Sequence, residues 1–85
     1  MSRALFIGRF QPFHNGHLHV AKLLSKKYDE ILIGIGSSQE KNTSKNPFSY
    51  HERRAMISQA LKASKIKNFR IYPIPDLYDD AKWTN

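Results

Sequence analysis

Cysteine is absent from this chain of 85 residues, so no disulfide can staple the fold and no thiolate can bind a metal, which suits a reducing cytoplasm. No apolar run approaches the roughly 18 residues that a membrane-spanning helix needs. The opening Met1-Ser2-Arg3-Ala4-Leu5-Phe6 leads straight into a glycine and an arginine, too short an apolar stretch for a secretory signal. Repeats, low-complexity tracts and linkers are also missing, and the length leaves room for one small globular unit with a modest core. Acidic side chains are scarce: seven against fourteen lysines and arginines, a net charge of +7. Up to Pro75 there are thirteen basic and four acidic residues, whereas Asp76, Asp79 and Asp80 gather three acids near the end. A basic body fits nucleic acid, an anionic membrane surface or small phosphorylated ligands. Most of the lysines, such as Lys22, Lys26, Lys62 and Lys65, fall on helix ends and polar faces. Arg9 and Lys45 lie instead in predicted loops beside glycines and aromatics.

What is present reads as alternating strands and helices. Ala4-Leu5-Phe6-Ile7 is a continuous apolar run, as in a strand covered on both faces. Asn15 is placed to cap a helix from Gly16 to about Tyr28, with Val20, Ala21, Leu24 and Tyr28 at helical spacing. Ile31 to Ile35 forms a second strand ended by Gly36-Ser37-Ser38, and a polar loop of about twelve residues follows, long enough to suggest a function. Ser49 and Glu52 form a capping box that starts a second helix, which runs to about Ala63 with Met56, Ile57, Ala60 and Leu61 facing the core. A third strand near Phe69 to Tyr72 is expected to end at Pro73 and Pro75. Strand, helix, strand, helix, strand makes two right-handed βαβ units, an α/β fold with a parallel sheet. Ligands in such sheets bind beyond the carboxyl ends of the strands, where the Gly8–His17 loop, the 36–48 loop and the residues after Pro73 converge.

The run Gly8-Arg9-Phe10-Gln11-Pro12-Phe13-His14-Asn15-Gly16-His17 is the most informative stretch. A helix N-terminus offers unpaired N–H groups and a positive dipole end to phosphate oxygens. Gly16 has no side chain to keep a ligand away, His14 and His17 face one side across a helical turn, and Arg9 adds a planar fork. Taken alone, the two histidines could equally be cap or surface residues, or join His19 at a metal. Phe10, Phe13 and Phe48 could serve the cleft or the core. For nucleotidyl transfer an ionised phosphate nucleophile needs no general base, so positioning and charge neutralisation suffice.

The same run resembles the first signature of the His-x-Gly-His nucleotidyltransferases, in the Gly-Arg-Phe-Gln-Pro-Phe-His form of archaeal-type nicotinamide-nucleotide adenylyltransferases. Gly34-Ile35-Gly36-Ser37-Ser38-Gln39, Asn46-Pro47-Phe48-Ser49, Glu52-Arg53, Tyr72-Pro73-Ile74-Pro75-Asp76 and Trp83 follow in the order of that family. The resemblance implies a Rossmann-like nucleotidyltransferase fold with three layers. It implies transfer of the adenylyl group of ATP, with Mg²⁺, to nicotinamide mononucleotide, giving NAD and pyrophosphate. It places His14, His17 and Arg9 on the ATP phosphates, Ile7, Gly8 and Phe10 around the nucleotide cleft, and Gly16 against the adenosine. Lys45 stands where relatives carry arginine, and serves phosphate as a point charge rather than a fork. Trp83 would stack on the nicotinamide ring, with Asp76 and Asp80 lining the mononucleotide site. Relatives with another phosphorylated acceptor typically start Gly-x-Phe-Asp-Pro. A non-catalytic nucleic-acid module would want an aromatic and basic stripe that is not evident here, and no protein metal site, nucleic-acid partner or membrane partner is expected.

The family's second signature, Ser-x-Thr-x-Ile/Val-Arg, does not occur in these residues. With an expected strand order of 3-2-1-4-5, strands four and five are missing, so a single domain over 1–85, incomplete at its C-terminus, is expected. Strand one would then be an open apolar edge, and a homo-oligomer or aggregate is the expected state of the isolated chain.

Overall fold

The computed structural model describes residues 1–38 and 47–75. Its elements are β1 (Arg3–Gly8), α1 (Asn15–Lys27), β2 (Glu30–Gly36), α2 (Tyr50–Ala63) and β3 (Phe69–Ile74). The strands are all parallel in the order β1-β2-β3, with Leu5 beside Leu32 and Ile33 beside Ile71. Both crossovers step the same way across the sheet, so their right-handedness puts both helices on one face. Ile31, Ile33 and Ile35 point to that face and are fully buried with Ala21, Ile57 and Leu61. A core built of so few residues leaves each one costly to lose, at about 2–5 kcal/mol for an isoleucine cut to alanine.

The other face of the sheet is open among the described residues. Leu5 and Ile7 are 65% and 55% exposed, so β1, expected to be covered on both faces, is covered on one, and the described residues make two of the three expected layers. At one end of this face Glu30 pairs with Arg3 at 3.2 Å and with Arg70 at 2.9 Å, tying the three strands together. On α1 the buried stripe is centred on Ala21 with Leu18, Leu24 and Tyr28 beside it. Val20, one residue or about 100° away, is exposed rather than packed.

β3 continues through Pro73 to Ile74 instead of ending at the proline. The register explains why. The carbonyls of Asn68 and Ile74 accept from Ile31 and Ser38 N–H on the β2 side, so in a parallel ladder the even-numbered residues face β2 and Pro73 turns its missing N–H outward, where an edge strand tolerates it. Asn68 also holds the end of α1: its Nδ2 lies 3.1–3.2 Å from the carbonyl oxygens of Ser25, Tyr28 and Asp29.

Candidate active site

All three strands end at one edge, with Gly8 beside Ile35 and Gly36 beside Ile74. From that edge β1 turns sharply into the loop before α1. Phe10 has φ 53°, left-handed for a residue with a side chain, and Ser37 just beyond β2 has φ 52°. Such a conformation costs about 1–2 kcal/mol at each residue, so something nearby must hold it. The turn at Phe10 sends its ring back over Gly8, where a Cβ would sit 3.0 Å from Phe10 Cζ. Phe10 is 2% exposed and packs edge-on against Phe6 at 5.3 Å. Its ring therefore belongs to the floor under the site rather than to a cleft surface.

The N-cap of α1 is His14, one residue before the asparagine expected to cap it. His14 Nδ1 accepts from the Gly16 N–H at 3.1 Å, and the His14 N–H donates to His17 Nδ1 at 3.1 Å, a capping box made of two imidazoles. Asn15 loses the cap because an imidazole at 14 finds its reciprocal partner three residues on. The rings stack with centroids 3.7 Å apart at 26°. Since each Nδ1 accepts a hydrogen bond, each neutral ring carries its proton on Nε2. The pair thus presents two Nε2–H donors at the positive end of a helix whose first turn contains no acidic residue.

Gly16 is there for the histidine. A Cβ at this position would come within 2.9 Å of His14 Cε1, a tighter requirement than the ligand clearance read from the sequence. His17 packs against Phe10, edge-on at 4.9 Å, and Phe13, at 5.4 Å and 28° from parallel. Burial, and then repulsion from His14, lowers its pKa below the ordinary imidazole value, so at neutral pH it is the uncharged ring whose Nδ1 can accept the His14 N–H, as the capping box requires.

Two residues outside the expected site set tie the loops together. The Gln11 side chain donates to Phe48 O at 3.0 Å and accepts from Phe48 N–H at 2.9 Å, fastening the β1 loop to the segment before α2. Arg53, fully buried, donates from Nη1 to the carbonyls of Arg9 (3.0 Å) and Gly36 (2.7 Å), from Nη2 to Ser37 O (2.9 Å) and from Nε to Ser49 O (3.2 Å). A sequence signal existed for Arg53: it lies four and eight residues before Ile57 and Leu61, on the buried face of α2. Gln11 is part of the Gly-Arg-Phe-Gln-Pro-Phe-His run, but nothing in that run points to its partner.

The structure brings Gly8, Arg9, Phe10, His14, Gly16 and His17 to one edge of the sheet. Arg9 is exposed there, whereas Ile7 points to the open face, where it and Ile74 fill the space above Gly34. Lys45, Asp76, Asp80 and Trp83 lie outside the described residues, as does the segment 39–46 that contains Lys45. Among the described residues no three histidine or carboxylate side chains gather to form a metal site, and no helix is long and apolar enough to cross a membrane.

The model of the cytidylyltransferase-like family matches residues 5–79. The chain belongs to that family. Among its relatives, the nicotinamide-nucleotide adenylyltransferase of Picrophilus torridus is 45% identical over 83 residues, 98% of this chain and 49% of its own length. The enzyme of the same name from Methanolobus tindarius is 47% identical over 85 residues, the whole of this chain and 49% of its own length. The chain therefore spans about half the length of the curated relatives it matches. Among solved structures, a bifunctional NMN adenylyltransferase/ADP ribose pyrophosphatase from Francisella tularensis, complexed with AMP and a manganese ion, superposes with a TM-score of 0.87 at 39% identity. That likeness covers 98% of this chain and 26% of the other. The cytidylyltransferase-like fold is thus the one read from the sequence, in α/β form with the 3-2-1 portion of its strand order.

Proposed function

We propose that this chain carries the ATP-gripping side of an enzyme that transfers the adenylyl group of ATP to nicotinamide mononucleotide, giving NAD and pyrophosphate. The observation that carries this reading is the paired Nε2–H donors of His14 and His17 at the acid-free N-terminus of α1, in a chain 45–47% identical to enzymes named for this reaction. In the transfer, a phosphate oxygen of the mononucleotide attacks the α-phosphorus of ATP and the bond to pyrophosphate breaks. The attacking phosphate is already ionised at neutral pH, so no proton has to be removed. The two imidazoles and the helix N-terminus hold the triphosphate and take up charge as it moves onto the leaving pyrophosphate, and Arg9 adds its fork. These donors are cationic or neutral N–H groups with no carboxylate among them. They suit phosphate oxygens rather than a metal, so Mg²⁺ enters as part of the Mg·ATP substrate, held by the triphosphate. Gly8 closes the floor of the cleft and Ile7 its sheet side, Gly16 keeps the His14 ring in place beside the adenosine, and Lys45 adds charge at the phosphates. Asp76, Asp80 and Trp83 receive the mononucleotide. We further place the protein in the cytoplasm, as a homo-oligomer with no nucleic-acid or membrane partner.

The test is to incubate the full-length protein, and separately these 85 residues, with Mg·ATP and, in turn, nicotinamide mononucleotide, phosphopantetheine or glycerol phosphate, and to separate the products by chromatography. NAD and pyrophosphate in equal amounts are expected from the full-length protein. Adenylylation of phosphopantetheine or glycerol phosphate instead would move the acceptor while keeping the site, and product from no acceptor would overturn the reading.

A further inference from the structure

The two left-handed residues of the site edge, Phe10 and Ser37, occupy equivalent places, each two residues or fewer past the end of its strand, on neighbouring strands. The carbonyl whose peptide leads into Phe10 is that of Arg9, and the one leading into Ser37 is that of Gly36. Both accept from the same nitrogen, Nη1 of Arg53, at 3.0 and 2.7 Å. Nη2 takes the next carbonyl, Ser37 O, and Nε takes Ser49 O at the start of α2. One guanidinium thus donates to four backbone carbonyls, one in the loop after β1 and three at the two ends of the connection from β2 to α2, with the group withdrawn completely from solvent.

We infer that Arg53 is a positioning residue for adenylyl transfer, fixing the two strained turns that set the place of Arg9 and the width between the ends of β1 and β2. The inference rests on the reading of this edge as an ATP site. Phe10 and Phe13 support His17 from below, so a turn that relaxed at Phe10 would carry the imidazole pair with it. A misplacement of about 1 Å in such a constellation costs up to about a hundredfold in rate. Lysine at this position keeps the charge but not the fork: its three donors spread from one nitrogen cannot span carbonyls on both strands and on α2.

The test compares Arg53→Lys and Arg53→Met with the wild type in the full-length protein by two independent readouts. Backbone ¹³C shifts of Phe10 and Ser37 report whether φ stays left-handed, with Ile57 and Leu61 as the control for α2 packing. Steady-state kinetics give KM for ATP and for the mononucleotide separately. We expect both variants to lose the left-handed shifts at Phe10 and Ser37 while Ile57 and Leu61 keep theirs. KM for ATP should rise, or kcat fall, about tenfold or more, with KM for the mononucleotide changed less and Lys milder than Met. Where the Met variant does not fold, the Lys variant decides. Left-handed shifts kept in a folded variant, or ATP and mononucleotide parameters falling together with α2, would overturn the inference. If the wild type does not use ATP, the adenylyl-transfer reading fails, and with it the catalytic part of Arg53's role, while the shifts still decide whether Arg53 holds the turns.

Discussion

His17 has to accept at Nδ1 and donate at Nε2, and these two duties can be separated by substitution. His17→Asn keeps an oxygen near the place of Nδ1, so the cap on the His14 N–H survives, but it removes the Nε2–H. ATP use is expected to fall about a hundredfold, as when one donor to developing charge is deleted, with the melting temperature changed by only a few degrees. A variant that melted far lower and kept its rate would reverse the assignment. The pH dependence follows from the lowered pKa of His17, caused first by burial and then by His14. The unfolded chain takes up the proton first as pH drops below about 6.5, so it binds more protons than the folded one and stability falls with acid. The loss continues until pH passes below the folded pKa, and above about pH 6.5 this contribution is fully present. A melting series should show this acid slope in the wild type and a reduced one in His17→Asn. Gly16→Ala sets two effects against each other. Alanine gains about 1 kcal/mol of helix propensity, but its Cβ lands 2.9 Å from His14 Cε1, and displacing that ring forfeits a cap worth about 1 kcal/mol. Near-unchanged stability with ATP affinity weakened tenfold or more is expected from calorimetry, and unchanged affinity would show that the His14 ring does not need that space.

At the scale of elements, the start of α2 is held by Ser49, which accepts from the Glu52 N–H at 3.2 Å while Glu52 returns a bond to the Ser49 N–H. Ser49→Ala should cost about 1 kcal/mol, a drop of roughly 4–8 °C in a domain of this size, measurable by thermal denaturation. The cap and the bounds of this helix were legible in the sequence, because Ser-x-x-Glu before an apolar stripe is a local pattern with a local cause. α1 was legible as a helix but not in its cap or its stripe, since a histidine acting as N-cap depends on a second imidazole stacking on the first, which side-chain periodicity does not encode. β3 was cut short at Pro73 because the cost of a proline depends on which edge its missing N–H faces, a property of the sheet and not of the strand. The same limit explains the site residues that were missed. Gln11 and Arg53 work through backbone atoms 37 and up to 44 residues away, and only the assembled sheet brings those carbonyls together. That the histidines, Gly8 and Arg9 gather at the end of β1 was legible because the turn from strand to helix is itself local.

The chain as a whole is strongly basic. Among the described residues the helices cover one face of the sheet, while on the other face Leu5 and Ile7 stand exposed on β1, the strand at its edge. An exposed apolar edge strand of this kind is a template for association. The 85 residues alone are therefore expected to self-associate at micromolar concentrations in sedimentation velocity, and Leu5→Lys with Ile7→Lys should shift them toward monomer. A monomer that these changes leave unaltered would contradict this. The central claim is that the stacked pair His14 and His17 grips a triphosphate as neutral Nε2–H donors fixed by the helix N-terminus. Its most direct measurement is a titration of the ¹⁵N-histidine-labelled full-length protein with Mg·ATP at pH 7.5, following the ring nitrogens of both residues. Both rings should start as Nε2–H tautomers, and ATP should move both Nε2 resonances while leaving Nδ1 as an acceptor. Rings that are Nδ1–H or doubly protonated before ATP is added, or Nε2 resonances that do not respond to saturating ATP, would contradict it.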